Sequence, residues 1–249
     1  MDTSALGYEE SFAIRTYEID NHKKATIPAL VRLMQEAAMQ NVMQLKLSIW
    51  DLEEHHISWV LLKKNIHINR IPNLGETIIV TTQPTGFEKF FAYRDFRIFS
   101  QQRELLLYSA TTWLLMDTQS RKMARIPQFI LDYTSQMPPK KDWLPRPESK
   151  FPAFEKVDFS DDFRVSWHHL DFNQHLNNTQ YIAWMLDTIP STLLQNGILE
   201  QFEIQYRHEC KLGDQLLAQT QQLGDHYFLH RLIHQDNQQE VAVAKSKWK

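Results

Sequence analysis

Cysteine is nearly absent from this chain of 249 residues, which contains only Cys210. A single cysteine excludes an intramolecular disulfide framework and favours a reducing compartment. The chain also has no run of about 18 apolar residues, which a membrane-spanning helix needs, so no membrane association is expected. Its first residues, MDTSALGYEESFAIR, begin acidic and lack a basic segment followed by an apolar one, so no signal peptide is expected. These absences together predict a cytoplasmic protein.

A strong net charge is absent as well. The 27 lysine and arginine residues nearly balance the 30 aspartate and glutamate residues, for a net charge of −3 at pH 7. This balance gives no general attraction to nucleic acid, which is not expected as a partner. With 43% hydrophobic and 23% charged residues, the composition is typical of a globular protein long enough for one large or two ordinary domains.

An internal repeat indicates two domains. The segment Ile66–Thr82, IHINRIPNLGETIIVTT, resembles Ile204–Thr220, IQYRHECKLGDQLLAQT, with Gly75 and Gly213 at matching positions of a turn. Before its strands, each half has the apolar spacing of one amphipathic helix, and Thr26 is a candidate N-cap in the first half. The two halves are therefore predicted to share one fold.

Runs of β-forming residues follow each helix and are separated by turn residues such as Gln101-Gln102-Arg103. Each half thus predicts one helix against an antiparallel sheet of long strands, which is an α+β fold. The segment 137–154 contains five prolines and several basic residues, and it is predicted to be an extended linker. The predicted domains are therefore residues 1–136 and 155–249.

The densest polar stretch is HLDFNQHLNNTQYIAWMLD, residues 169–187. If its first part is extended, Asp171, Asn173 and His175 alternate onto one side. The stretch then enters a helix, whose N-terminal N–H groups would stabilise a carbonyl that becomes an oxyanion. A carboxylate, an amide and an imidazole beside such donors are the groups that acyl-group hydrolysis needs.

A purely structural interpretation of the same stretch stays open. Asn177 or Asn178 can cap the helix, Asp171 can close an Asx-turn, and His175 can be incidental. Capping and catalysis are compatible, because different residues would do each job. A metal site is not expected, since the nearby histidines have neither HExxH spacing nor a Cys/His pair, and no cofactor is expected either.

Two motifs together resemble a known family. DFNQHLNNTQYIAWMLD is similar to the Asp-x-Asn-x-His-x-Asn-Asn segment of acyl-ACP thioesterases, and YRHEC at Tyr206–Cys210 is similar to the Tyr-Arg-x-Glu-Cys segment that follows it in that family. The resemblance covers nearly the whole chain and implies two tandem hotdog domains, each a long helix wrapped by an antiparallel sheet. It also implies hydrolysis of the thioester of long-chain acyl-ACP in fatty acid biosynthesis.

The resemblance implies catalytic roles for four residues: Asp171, Asn173, His175 and Glu209. Cys210 is the alternative to Glu209. Strand alternation places these two neighbours on opposite faces, so without a bulge only one of them can face the site. Cys210 shares its face with apolar Phe202, and a lone buried cysteine is more often core than nucleophile, so Glu209 is favoured. A surface ion pair of Glu209 with a neighbouring base stays open as its structural alternative.

The first half lacks this constellation. Asp20, Asn21 and His22 are adjacent there rather than alternating, and the repeat puts Ile71 opposite Glu209. The resemblance implies that this half holds the acyl chain. The candidate lining residues are Met34, Ala37, Ala38 and Trp59, with ordinary core packing as the alternative for each.

Acyl carrier protein is acidic, so the resemblance implies a basic docking surface on this chain. The candidate docking residues are Lys63, Lys64, Arg121, Lys122, Arg125, Lys140, Lys141, Arg146 and Lys150. Two other functions stay open: an acyl-CoA thioesterase on the same scaffold and a non-catalytic acyl-binding protein. Whether the chain forms a homodimer also stays open.

Overall fold

The chain divides into two compact units, Met1–Pro147 and Glu148–Lys249. The computed structural model describes residues 5–148 and 150–249. The boundary lies inside the predicted 137–154 linker, whose residues up to Pro147 belong to the first unit. Composition did not indicate this, because proline and basic residues also suit a segment that packs on a protein surface.

The first unit places one long helix against an antiparallel sheet. Its elements are β1 (Tyr8–Ala13), α1 (Ile27–Gln44), α2 (Ile49–Glu53), β2 (Ile57–Ile68), β3 (Thr77–Glu88), β4 (Phe91–Ser100), β5 (Leu105–Asp117) and α3 (Gln128–Leu131). The strand order is β1-β3-β4-β5-β2, and α1 packs on β3 and β1. The predicted turn at 101–103 lies between β4 and β5.

The second unit repeats this arrangement. Its elements are β6 (Phe159–Arg164), α4 (Asn178–Asp187), α5 (Ser191–Asn196), β7 (Leu199–Tyr206), β8 (Gln215–Gly224), β9 (Tyr227–His234) and β10 (Glu240–Trp248). The strand order β6-β8-β9-β10-β7 matches that of the first unit element by element, and the pairings are antiparallel. The predicted α+β fold and its internal repeat are confirmed.

Helix α1 begins at the predicted residue. Thr26 Oγ1 accepts a hydrogen bond from the Ala29 N–H at 3.3 Å, and Pro28 lies in the first turn, where a missing N–H removes no helical bond. The apolar stripe is buried as its spacing predicts: Leu30, Leu33, Met34 and Ala37. Burying a large side chain of this kind contributes about 1.5–3 kcal/mol, so the stripe fixes the helix to the sheet. Among the described residues, no helix is both long enough and apolar enough to cross a membrane.

The segment before the unit boundary is attached to the sheet by Arg146. Its Nη1 lies 2.8 Å from Oδ1 of Asp95, a fully buried carboxylate of β4. This contact is an ion pair rather than an aligned hydrogen bond, because neither atom has a partner in hydrogen-bonding geometry. The Leu144 N–H donates to the other oxygen of Asp95 at 2.8 Å, and the guanidinium lies 4.9 Å from the ring centre of Trp143 and 5.2 Å from that of Tyr93. Residues 143–146 are therefore part of the fold of the first unit.

Candidate active site

The polar stretch before α4 is a tight turn, so the predicted extended alternation of Asp171, Asn173 and His175 is wrong. The Asp171 carboxylate accepts hydrogen bonds from the N–H groups of Asn173 at 2.8 Å and of His175 at 3.2 Å. Gln174, inside the turn, adopts a φ of 61°. Burial raises the pKa of the Asp171 carboxyl. Asp171 thus closes an Asx-turn, the alternative interpretation, and in doing so it orients the backbone of His175.

The first unit contains the same turn before α1. Asp20 Oδ1 accepts hydrogen bonds from the N–H groups of His22 at 2.8 Å and of Lys24 at 3.0 Å. Asp20 therefore corresponds to Asp171, and Lys24 to His175. The sequence repeat did not show this match. The number of residues between this turn and the later strands differs between the two halves, so the turns do not align when the strands do. The aspartate builds a turn that both halves need, whereas the imidazole belongs to the second half.

His175 and Glu209 meet at the edge of this turn. Glu209 Oε2 lies 3.3 Å from His175 Nε2, and the two side chains are 31% and 20% exposed, so solvent can reach both. The loop that carries Glu209 is attached to the turn, since the Leu176 N–H donates to the Cys210 carbonyl at 2.8 Å. A carboxylate next to an imidazole that solvent can reach is able to move a proton. The structure brings these two residues together, and their catalytic role stays a prediction.

Burial, rather than strand alternation, distinguishes Glu209 from Cys210. Strand β7 ends at Tyr206, so the predicted alternation does not extend to either residue. Cys210 is fully buried, and burial raises the pKa of its thiol to about 11. Because the thiolate is the nucleophilic form, a buried thiol with a raised pKa is poorly suited to attack a thioester.

Asn173 is exposed and shares a cavity with His175. The cavity has a volume of about 370 Å³, and the other lining residues are Trp167, Leu170, Gln174, Lys211 and Leu212. The structure therefore places an amide donor and an imidazole on one concave surface. Two of the lining residues, Trp167 and Leu212, are 71% and 54% exposed.

Helix α4 begins three residues beyond His175, and Asn177 is its N-cap. Asn177 Oδ1 accepts a hydrogen bond from the Thr179 N–H at 3.0 Å, and the Asn177 carbonyl accepts one from the Gln180 N–H at 2.9 Å. These bonds use two of the first-turn donors. The cap does not use the Asn178 N–H, which leaves that group as a donor for a ligand at the helix N-terminus.

The four predicted acyl-binding residues belong to two places in the first unit. Met34 and Ala37 are buried in the stripe of α1, with Ala38 half-buried beside them. Trp59, on β2, packs instead against a core cluster that includes Leu47. Contact with an acyl chain stays a prediction for all four.

A buried polar cluster near the end of α1 was missed by sequence reasoning. Arg94 of β4 donates from Nη1 to Asn41 Oδ1 at 2.8 Å and to Thr82 Oγ1 at 3.0 Å. Burial lowers the pKa of Arg94 to about 10. The only signal in the sequence is an arginine at an inward position of the strand KFFAYRDFRIF, in register with Phe96. The interior of the first unit therefore contains a cation held by neutral oxygens.

Two family models match most of the chain. The model described as the acyl-ACP thioesterase N-terminal domain matches residues 5–133, and the one described as the acyl-ACP thioesterase C-terminal domain matches residues 154–249. The unmatched residues between them fall almost entirely within the predicted linker.

Plant proteins and a solved plant structure are similar to the whole chain. The chloroplastic acyl-[acyl-carrier-protein] hydrolase FATB3 of Cuphea viscosissima is 27% identical, over 98% of this chain and 63% of that protein. The chain thus spans slightly less than two thirds of that relative. The chloroplastic oleoyl-acyl carrier protein thioesterase 1 of Arabidopsis thaliana is 24% identical, over 98% of this chain and 76% of that protein. The 12:0-ACP thioesterase structure from Umbellularia californica superimposes with a TM-score of 0.87 at 22% identity, covering 100% of this chain and 99% of that one. This likeness confirms the predicted fold of two tandem hotdog domains.

Proposed function

Since the chain belongs to the acyl-ACP thioesterase family, we propose that it hydrolyses the thioester of a long-chain acyl group on acyl carrier protein and releases the fatty acid in fatty acid biosynthesis. The observation that carries the proposal is the pair of Glu209 and His175, 3.3 Å apart, next to a cavity that Asn173 also lines. Thioester hydrolysis needs a base for water, an acid for the leaving sulfur and a donor for the oxyanion. This group of side chains offers all three.

In the proposed reaction, Glu209 accepts a proton from a water molecule whose oxygen attacks the thioester carbonyl carbon. Asn173 Nδ2 and the Asn178 N–H donate to the oxyanion that forms. As the carbon–sulfur bond breaks, His175 donates a proton to the sulfur and recovers one from Glu209 across their contact. One proton thus passes from water to the thiol, and the products are the fatty acid and the free carrier thiol. Asp171 is a positioning residue, because it holds the His175 backbone.

The direct test is hydrolysis of acyl-ACP substrates over a range of chain lengths, with the same acyl groups on CoA. We expect a higher kcat/KM on carrier protein than on CoA, with a maximum among the long chains. Equal or faster turnover on CoA would favour an acyl-CoA thioesterase. Tight binding of fatty acid without turnover of either substrate would favour an acyl-binding protein instead.

The exposed basic segment Arg121–Arg125 is the proposed docking site for the acidic carrier protein. Arg121, Lys122 and Arg125 are exposed together with Met123, which is 58% exposed. Two residues that sequence reasoning proposed for docking do not fit a surface role. Lys64 is buried, and Arg146 is paired with the buried Asp95.

We expect the double variant K122E/R125E to raise KM for acyl-ACP several-fold with little change in kcat, because each exposed ion pair contributes about 0.2–1 kcal/mol. The dependence of kcat/KM on salt should weaken in parallel. Hydrolysis of acyl-pantetheine, which lacks the carrier, should be unchanged. Lys89→Glu, an exposed lysine outside this segment, is the matched control. An equal rise in KM for K89E would mean that overall charge, rather than this segment, attracts the carrier.

Arg94 should limit the length of the acyl chain if the first unit holds it as proposed. Asn41, which binds Arg94, lies one helical turn beyond Ala37 and on the same face of α1. Burial of one methylene of the acyl chain among apolar side chains contributes roughly 0.8 kcal/mol to binding. A methylene that contacts this polar cluster does not gain that free energy. Arg94→Met is therefore expected to move the chain-length maximum of kcat/KM towards longer chains. Arg97→Met, on the opposite face of the same strand, should leave the profile unchanged, and an unchanged profile for R94M would refute the assignment.

A further inference from the structure

Three side chains with different metal-binding atoms converge in the second unit, and none of them is among the residues that line the cavity of Asn173. Cys210 follows β7, Asp214 lies in the turn before β8, and His234 ends β9. One ligating atom from each lies within 4.8 Å of the other two. Cysteine sulfur, histidine nitrogen and a carboxylate oxygen are the donors that Zn²⁺ takes in proteins. Sequence spacing did not predict this group, because its members come from three separate segments.

Two of the three donors, Asp214 and His234, are also close to each other, and a backbone N–H holds the carboxylate. The Lys211 N–H donates to Asp214 Oδ2 at 2.8 Å, and the same oxygen lies 3.7 Å from His234 Nε2. Donor atoms bonded to zinc at about 2.0–2.3 Å are roughly 3.3–4 Å apart, so the group needs to contract by about 1 Å. The Asp214 and His234 side chains are 30% and 16% exposed, which gives a cation access from solvent.

The first unit shows which part of this group the fold itself requires. Its corresponding turn also ends in a carboxylate, since the Asn73 N–H donates to Glu76 Oε2 at 3.1 Å. Pro72 occupies the place of Cys210 in the repeat. Ile78 and Leu216 are at matching positions of the repeat. Ile78 pairs with Ser100, and Leu216 pairs with His234, so Ser100 corresponds to His234. The carboxylate is thus a shared turn residue, whereas the thiol and the imidazole occur only in the second unit.

We propose that Cys210, Asp214 and His234 bind a thiophilic divalent cation, Zn²⁺, with water in the fourth position. Binding releases the thiol proton, as zinc coordination requires. The ion is next to the proposed catalytic group, because Cys210 directly follows Glu209 and its carbonyl accepts the Leu176 N–H. Contraction of the three donors therefore displaces the segment that holds Glu209 against His175. If the chain hydrolyses thioesters as proposed above, Zn²⁺ inhibits it from this site.

The binding test uses Co²⁺ as the probe on the full chain after treatment with a chelator. We expect one equivalent of Co²⁺ to produce a thiolate-to-cobalt charge-transfer band, which Zn²⁺ then abolishes by displacement. Cys210→Ser should remove the band, and His234→Asn should weaken binding by at least about tenfold. His226→Asn, an exposed histidine of the β8–β9 turn, is the matched control and should bind as the wild type does. Absence of the band in folded wild-type protein, or equal binding by H234N, would overturn the site.

The second measurement distinguishes the metal site from the proposed function. We expect Zn²⁺ to inhibit hydrolysis by the wild type and by H226N, but not by H234N, with equal activity of all three in the absence of metal. Equal inhibition of H234N would show that the ion acts elsewhere and would overturn the link to Glu209. If no thioester is hydrolysed under any condition, the proposed function fails, while the cobalt spectrum still decides the metal site.

Discussion

Replacing Glu209 with glutamine is expected to lower kcat for acyl-ACP hydrolysis by about 10²–10⁴-fold, the range for losing a positioned general base. Glutamine keeps the size of the side chain and removes its ability to accept a proton at neutral pH. His175→Ala should produce a loss of similar size, because it removes the other half of the contact at 3.3 Å. Asn173→Ala should cost about 10²–10³-fold, as expected for one oxyanion donor.

Cys210→Ala is the informative contrast, because it removes the thiol that the YRHEC motif offers as the alternative to Glu209. The buried thiol, with its raised pKa, is expected to be dispensable for turnover, so C210A should retain most of its kcat. Glu240→Gln is the matched control for E209Q, since Glu240 is also a half-buried carboxylate of the second unit and pairs with Arg207. Circular dichroism should show that each variant is folded.

The kinetics of these variants choose between two mechanisms. An inactive C210A together with an active E209Q would establish the thiol as the nucleophile and exclude attack by water. Loss of activity in E240Q equal to that in E209Q would show that charge or folding of the second unit, rather than proton transfer, is responsible. The combined variant E209Q/H175A should be hardly worse than either single variant, because residues that act as one unit are not additive.

The features that sequence could predict are those with a local period or a local motif. The stripe of α1 follows helical spacing, and Thr26 caps the helix because a hydroxyl before an apolar periodic run satisfies the first free N–H groups. Glu209 was identified from a five-residue motif, and its contact with His175 is present. In each case the information lies within a few residues of the feature that it predicts.

The features that sequence reasoning missed depend on contacts between distant segments or on backbone geometry. The strand-like alternation predicted from Asp171 onwards is wrong because the Asp171 carboxylate accepts hydrogen bonds from the N–H groups of Asn173 and His175. These bonds bend the chain into a turn. The same bend at Asp20 was hidden by the different lengths of the two halves. Arg94 is buried only because α1 and β3 bring Asn41 and Thr82 to it, and neither partner is near it in sequence.

The stability of the first unit is expected to depend strongly on Arg146, a residue that sequence alone places on a docking surface. Arg146→Met leaves the fully buried carboxylate of Asp95 without its ion-pair partner. Removing one member of a buried pair costs about 3–5 kcal/mol. Lys140→Met is the matched control, because Lys140 and its partner Glu88 are exposed, and loss of an exposed pair costs about 0–1 kcal/mol. Urea unfolding followed by circular dichroism measures both changes in the free energy of unfolding.

Two further measurements show whether the uncompensated charge of Asp95 causes this loss. Burial raises the pKa of Asp95 even with Arg146 present, and removal of the guanidinium raises it further. A carboxyl with a higher pKa in the folded than in the unfolded state takes up a proton on folding. The deficit of R146M relative to wild type should therefore shrink as pH falls from the pKa of Asp95 in folded R146M to its lower pKa in folded wild type, below which both folded proteins carry the proton. Asp95→Asn in the R146M background should recover part of the lost free energy at neutral pH. A deficit that is independent of pH and not reduced by D95N would mean that Arg146 stabilises the unit through its packing between Trp143 and Tyr93, rather than through its charge.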